Sequence, residues 1–128
     1  MTPAADLIDR LRQAMGEGVR VRARRPDVFQ VDLASHLPDG DAAMVFVQPT
    51  ADGMLRVTDL GHTRMRLSYG RALTPAMDRY LEGFAKAHGL GLEAGEVLAR
   101  LPLSEVAAAA LRLAQVQSEA DALILALR

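Results

Sequence analysis

The chain has 128 residues, half of them apolar and 24% charged, with a formal net charge of −1. That balance is globular and sized for one domain, and it excludes a protein-wide field that would draw the molecule to nucleic acid or membrane; any such attraction must be local. Cysteine and tryptophan are absent, which excludes disulfides, thiolate metal sites and a cysteine nucleophile, and leaves few platforms for base stacking.

Asp6 and Asp9 interrupt the apolar residues of the N-terminus, so it does not read as a signal peptide. The longest apolar run, residues 123–127, is far short of a membrane span, and a cytoplasmic location is expected. Thr2 followed by Pro3 is an N-cap with a first-turn proline, and Leu7, Ile8, Leu11 and Met15 then share one helical face up to Gly16 and Gly18. From Val19 the period becomes two: Val19, Val21 and Ala23 alternate with Arg20, Arg22 and Arg24, a half-buried strand. Pro26-Asp27 turns the chain into Phe29, Val31 and Leu33, which alternate with Gln30 and Asp32. After the Pro38-Asp39-Gly40-Asp41 loop, residues 42–47 are apolar on both faces, as a central strand would be, and a turn at 49–53 leads to a strand at 54–58.

A short helix is expected after Gly61, ending at Tyr69-Gly70. Thr74-Pro75 repeats the cap-and-proline signal ahead of a stripe of Met77, Tyr80, Leu81, Phe84 and Ala85, stopped by Gly89. Residues 90–101 read as a second hairpin turning at 93–96. Pro102 ends it, and Ser104 caps a last helix with a stripe of Val106, Ala110, Leu113, Val116, Ala120, Leu123, Ile124 and Leu127. The expectation is a single α+β domain over residues 1–128: an antiparallel meander with flanking helices, a small second hairpin and a long C-terminal helix.

The order of these elements, with Thr58-Asp59-Leu60-Gly61 at a strand-to-helix junction, resembles a family known as domain of unknown function 1828. The resemblance runs from about residue 29 to 127, through segments 55–61, 63–70, 77–89, 90–101 and 104–127. Leu60 stands where a small or polar residue is more usual, and the last helix is unusually rich in alanine. The resemblance implies an association with bacterial, phage or mobile-element genes, and brings no catalytic residues with it.

Asp59 and His62 are the catalytic candidates, with Asp32 and His36 within possible reach: an acid–base pair, or two ligands of a hydrolytic metal centre. The competing reading, preferred here, has Asp59 or Thr63 capping the short helix while Gly61 supplies a backbone conformation other residues avoid. No HExxH or nuclease-like carboxylate pattern accompanies the pair, and no cofactor is expected. Arg20, Arg22, Arg24 and Arg25 form the dense basic run. On a strand, three of them project from one face roughly 7 Å apart, a spacing suited to successive phosphates. The alternative, again preferred, is a solvated edge partly neutralised by Asp27 and Asp32. His88 suits a helix C-terminus, and Met44, Met54, Met65 and Met77 suit core filling. Leu111, Leu113, Val116, Leu123 and Leu125 give the last helix more apolar surface than one small sheet covers, so they serve either a central packed helix or a homodimer interface. The functional expectation is a non-enzymatic accessory protein that binds an unidentified protein. Weak sequence-independent nucleic-acid binding through Arg20–Arg25 and a metal-dependent hydrolase using Asp59 and His62 are the alternatives.

Overall fold

A computed structural model describes residues 3–16, 18–33, 37, 38, 40–68 and 73–126. Thr2, His36, Asp39, the Tyr69-Gly70 helix end and Leu127, all used in the sequence reading, lie outside the described residues.

The fold is α+β. In chain order it comprises α1 (Pro3–Met15), β1 (Arg20–Arg25), β2 (Val28–Asp32), β3 (Val45–Pro49), β4 (Leu55–Thr58), α2 (His62–Leu67), α3 (Pro75–Ala87), β5 (Gly91–Glu93), β6 (Glu96–Leu101), a 3-10 turn (Leu103–Glu105) and α4 (Val106–Ala126). The strands make one six-stranded antiparallel sheet in the order β1-β2-β3-β4-β6-β5. Its first four strands are the expected meander. The second hairpin continues the same sheet, because β6 lies beside β4 from Leu55↔Leu101 to Thr58↔Leu98.

Alternation sorts the two faces of the sheet. Val21, Phe29, Val31, Val45, Val47, Leu55, Val57 and Val97 point to one side, where they form a single core with Leu11, Leu81, Ala85, Val106, Leu113 and Val116 of the helices. The opposite face carries Arg22, Gln30, Phe46, Gln48, Arg56, Thr58, Leu98 and Arg100, as the strand registers require. The large apolar core lies on the first face; on the opposite face His62 of α2 stacks on Phe46, and Gln30, Phe46, Thr58 and Leu98 are buried.

The helices follow their sequence signals with instructive departures. Thr74 accepts a hydrogen bond from the Met77 N–H at 3.2 Å, and Pro75 fills the first turn of α3. Met77, Leu81 and Ala85 are buried, whereas Tyr80, 100° around the helix from Leu81, falls off the buried arc and is exposed. Ser104 belongs to the 3-10 turn rather than capping α4, which begins at Val106. Of the four methionines read as filler, only Met77 is in the core; Met44 and Met54 are half-buried and Met65 is exposed.

Two polar residues on α4 sit inside its buried arc. Gln117 accepts from the Met44 N–H at 2.8 Å and donates to the Met44 carbonyl at 2.6 Å, so its amide pairs with backbone just ahead of β3 as a strand would. Asp121, 4% exposed, binds the Arg66 guanidinium at 2.6 Å, and the same guanidinium meets Asp41 at 2.7 Å. These partners fix the rotation of a helix whose alanine-rich surface would otherwise slide.

Candidate functional site

The strand-to-helix junction after β4 is the place where sequence put the chemistry. Thr58 and Asp59 are fully buried. The Thr58 hydroxyl donates to Glu96 at 2.8 Å and accepts from the Leu60 N–H at 3.0 Å. One Asp59 carboxylate oxygen accepts from the Gly61 N–H at 2.8 Å and the Val97 N–H at 3.0 Å, and the other accepts from the Thr63 N–H at 3.1 Å. The Asp59 N–H also donates to the Val97 carbonyl at 3.1 Å. A single carboxylate therefore does three things: it closes the tight turn, holds an otherwise unpaired N–H of the first turn of α2, and ties both to β6.

The backbone bends to permit this. Leu60 and Gly61 both have positive φ, 51° and 83°. Leucine pays steric strain there and glycine does not, and the bond from Leu60 N–H to Thr58 helps hold the strained residue in place. The β5–β6 turn packs directly against this bend. It too has consecutive positive φ values, Ala94 at 50° and Gly95 at 80°, as a tight two-residue hairpin turn requires. A Cβ at Gly61 would lie 3.7 Å from the Gly95 carbonyl oxygen, and one at Gly95 would lie 3.5 Å from the Arg64 side chain. Arg64 is in turn fixed by Asp78 at 2.9 Å, a hydrogen bond that raises the guanidinium pKa above its ordinary value.

His62 joins this network only through its backbone N–H, which donates to the Asp59 carbonyl at 3.1 Å; its side chain takes no part. Its ring stacks on Phe46 with centroids 5.6 Å apart and planes 21° from parallel. An acid–base pair needs two groups converging on space a substrate can enter. Here the carboxylate has no solvent exposure and both oxygens are engaged by backbone N–H groups, while the imidazole is spent on a neighbouring ring. Asp32, proposed as a further neighbour, instead pairs with Arg22 at 2.9 Å and accepts from Gln30 at 3.0 Å. Among the described residues no three His, Asp or Glu side chains are grouped to hold a metal ion. A concavity of about 490 Å³ opens beside β6, lined by Thr50, Arg56, Gly91, Glu93, Leu98 and Arg100, and does not include Asp59 or His62. Its cations are already neutralised: Arg56 pairs with Glu96 at 3.3 Å and hydrogen-bonds Gln48 at 3.2 Å, and Arg100 pairs with Asp52. Asp52 is held at a pKa of about 2, first by the Thr50 hydroxyl and then by Arg100.

The arginine run falls on β1, one of the two outer strands of the sheet. Arg20 and Arg22 stand opposite Asp32 and Gln30 of β2, but the register shifts between Ala23 and Arg25, and Arg24 is left without a ladder partner. The even row of three is thus broken after its second member. Arg22 is neutralised by Asp32. Arg20, Arg24 and Arg25 are exposed and make no ion pair or side-chain hydrogen bond among the described residues.

On α4 the five interface candidates separate. Leu113 and Val116 are fully buried on the arc facing the sheet, which makes them unavailable to a second chain. Leu123 is half-buried, and Leu111 (54%) and Leu125 (38%) are exposed but about 21 Å apart along the helix, two isolated side chains rather than a patch. His88 is the C-cap residue of α3, and its Nε2 lies 2.7 Å from Glu119 on α4. Sequence reasoning missed Gln117, Asp121 and Arg66. The available signal was the pair of polar residues four apart within the apolar stripe. No helix among the described residues is long and apolar enough to cross a membrane.

Set against known families, residues 35–119, two thirds of the chain, match the model described as domain of unknown function DUF1828. No curated protein and no solved structure matches the chain.

Proposed function

The chain belongs to the DUF1828 family, and from that premise we propose that it is a non-enzymatic binding protein, an accessory of phage or other mobile-element genes that acts through protein–protein contacts. The observation that carries this reading is the open edge of the sheet. Among the described residues nothing pairs with β1 on the side away from β2, which leaves an edge for a partner, while the junction that could have held chemistry is consumed by its own backbone. The test is affinity capture by the tagged full chain in the organism that carries the gene, quantified by mass spectrometry. One protein enriched in near-equal amount is the expected result; replicate captures with no specific protein would remove the reading. The neighbouring genes sharpen it, since phage structural genes, defence genes and toxin–antitoxin pairs each define a different partner class.

A second reading has one specific observation in its favour, the three unpartnered guanidinium groups of β1. They suit a phosphate backbone, and such binding would weaken steeply with salt. A formal charge of −1 and the lack of aromatic side chains on β1 weigh against it.

A further inference from the structure

β1 spans six residues, about 20 Å of extended chain, and among the described residues nothing pairs with it on the side away from β2. In an antiparallel ladder alternate residues aim their N–H and C=O groups outward, so this edge offers a set of unpaired donors and acceptors. Four of its six residues are arginine. Arg22 is cancelled by Asp32, which leaves Arg20, Arg24 and Arg25 as free charges, with the exposed Asp27 in the adjoining turn as the nearest opposing group in sequence.

We propose that β1 is a docking edge for an extended acidic segment of a partner protein, which joins the sheet as a further strand and sets its carboxylates against Arg20, Arg24 and Arg25. The inference rests on the protein-binding reading above and gives it a surface and a partner chemistry. Three considerations select this occupant. A strand supplies the alternating main-chain donors and acceptors that the edge leaves open, and a nucleic-acid backbone does not. Carboxylates on such a strand meet guanidinium groups in the geometry that favours two-point bonding. A second copy of this chain is disfavoured, because antiparallel self-pairing of RVRARR sets arginine against arginine in almost every register. The register shift leaves Arg24 exposed and without a ladder partner on β2.

The probe is a fluorescein-labelled octapeptide of alternating Glu and Val, titrated into the full chain and into an R20A/R24A/R25A variant shown by circular dichroism to be folded. Controls are the same peptide with Lys for Glu, two versions N-methylated at all Glu or all Val positions, and an eight-residue oligothymidylate. The acidic peptide should bind the parent at least tenfold more tightly than the variant, the Lys peptide should not bind, and one of the two methylation patterns should abolish binding. Three results would each overturn the proposal: no binding of the acidic peptide at millimolar concentration, binding indifferent to both methylation patterns, or oligothymidylate bound as tightly as the peptide. The same variant separates this inference from its premise. A cellular partner retained by R20A/R24A/R25A defeats the docking edge and leaves the binding function standing, whereas absence of any partner for the parent chain defeats the function whatever the peptide does.

Discussion

The β4–α2 junction and the β1 edge are the two places where this sequence concentrates polar groups that could act, and the fold treats them in opposite ways. At the junction each carboxylate oxygen of the buried Asp59 is bonded to a backbone N–H, and one turn, one helix and one strand depend on it. At the edge, three guanidinium groups face solvent with no partner among the described residues, and no second element uses them. The junction lies inside the residues that match the family, and the edge lies outside them. The lesson is that residue type alone does not mark function: an aspartate at a strand end is a tie when its lone pairs are filled from three directions. A polar group becomes a candidate for recognition when the fold leaves it unspent.

The strongest way to break this contrast is to empty the junction. Asp59→Ala leaves the N–H groups of Gly61, Thr63 and Val97 buried without acceptors, and should destabilise the fold by about 4 kcal/mol, measured by urea denaturation. Loss below about 1 kcal/mol would mean that the carboxylate is not the tie described. The buried ion pair comes next. Asp121→Ala leaves Arg66 with Asp41, which is more exposed than Asp121, and should cost about 3 kcal/mol by the same assay.

Why the edge could be read from sequence and the junction only in part follows from where the partners lie. The alternation of Val19, Val21 and Ala23 with arginines is local and correctly implies a strand, but not a half-buried one: of the six residues of β1 only Val21 is buried, Ala23 is exposed and Val19 lies ahead of the strand. The bulge at Arg24 carries no such local mark. Capping by Asp59 was also a local inference, since Gly61 and Thr63 are two and four residues away; its bond to Val97 spans 38 residues and no periodicity announces it. The same holds for Gln117 and Asp121, whose partners are 73 and 55 residues distant. The placement of β6 beside β4 is equally a matter of long-range pairing, which hairpin signals do not encode. From sequence Leu113 and Val116 suit core and interface alike, because a stripe gives the angle of a side chain but not the width of the surface covering it; in the fold both are fully buried.

Asp52 tests an intermediate case, an exposed charge that does have partners. Its carboxyl is held at about 2, against an ordinary value of 3.8, by Thr50 and Arg100. A carboxylate with a lowered folded-state pKa contributes stability that is present above about pH 4 and lost as pH falls toward 2. An Asp52→Asn variant should therefore show a smaller decline in Tm between pH 4 and pH 2 than the parent, with the difference vanishing as both approach pH 2. Parallel declines would show that Thr50 and Arg100 do not bias the carboxyl in solution.

The smallest expected effect on stability is at the edge itself. Replacing Arg20, Arg24 and Arg25 with alanine removes no side-chain hydrogen bond or ion pair made within the described residues, and unfolding free energy should change by no more than about 0.5 kcal/mol. What should change is association. Like charges along an open strand prevent two copies from pairing edge to edge, and that repulsion disappears with the arginines. Light scattering at raised protein concentration should show the variant self-associating where the parent does not. A variant as dispersed as the parent would mean that the charges are not what keeps the edge open, and a variant destabilised by several kcal/mol would mean that the arginines are tied into the fold as firmly as Asp59.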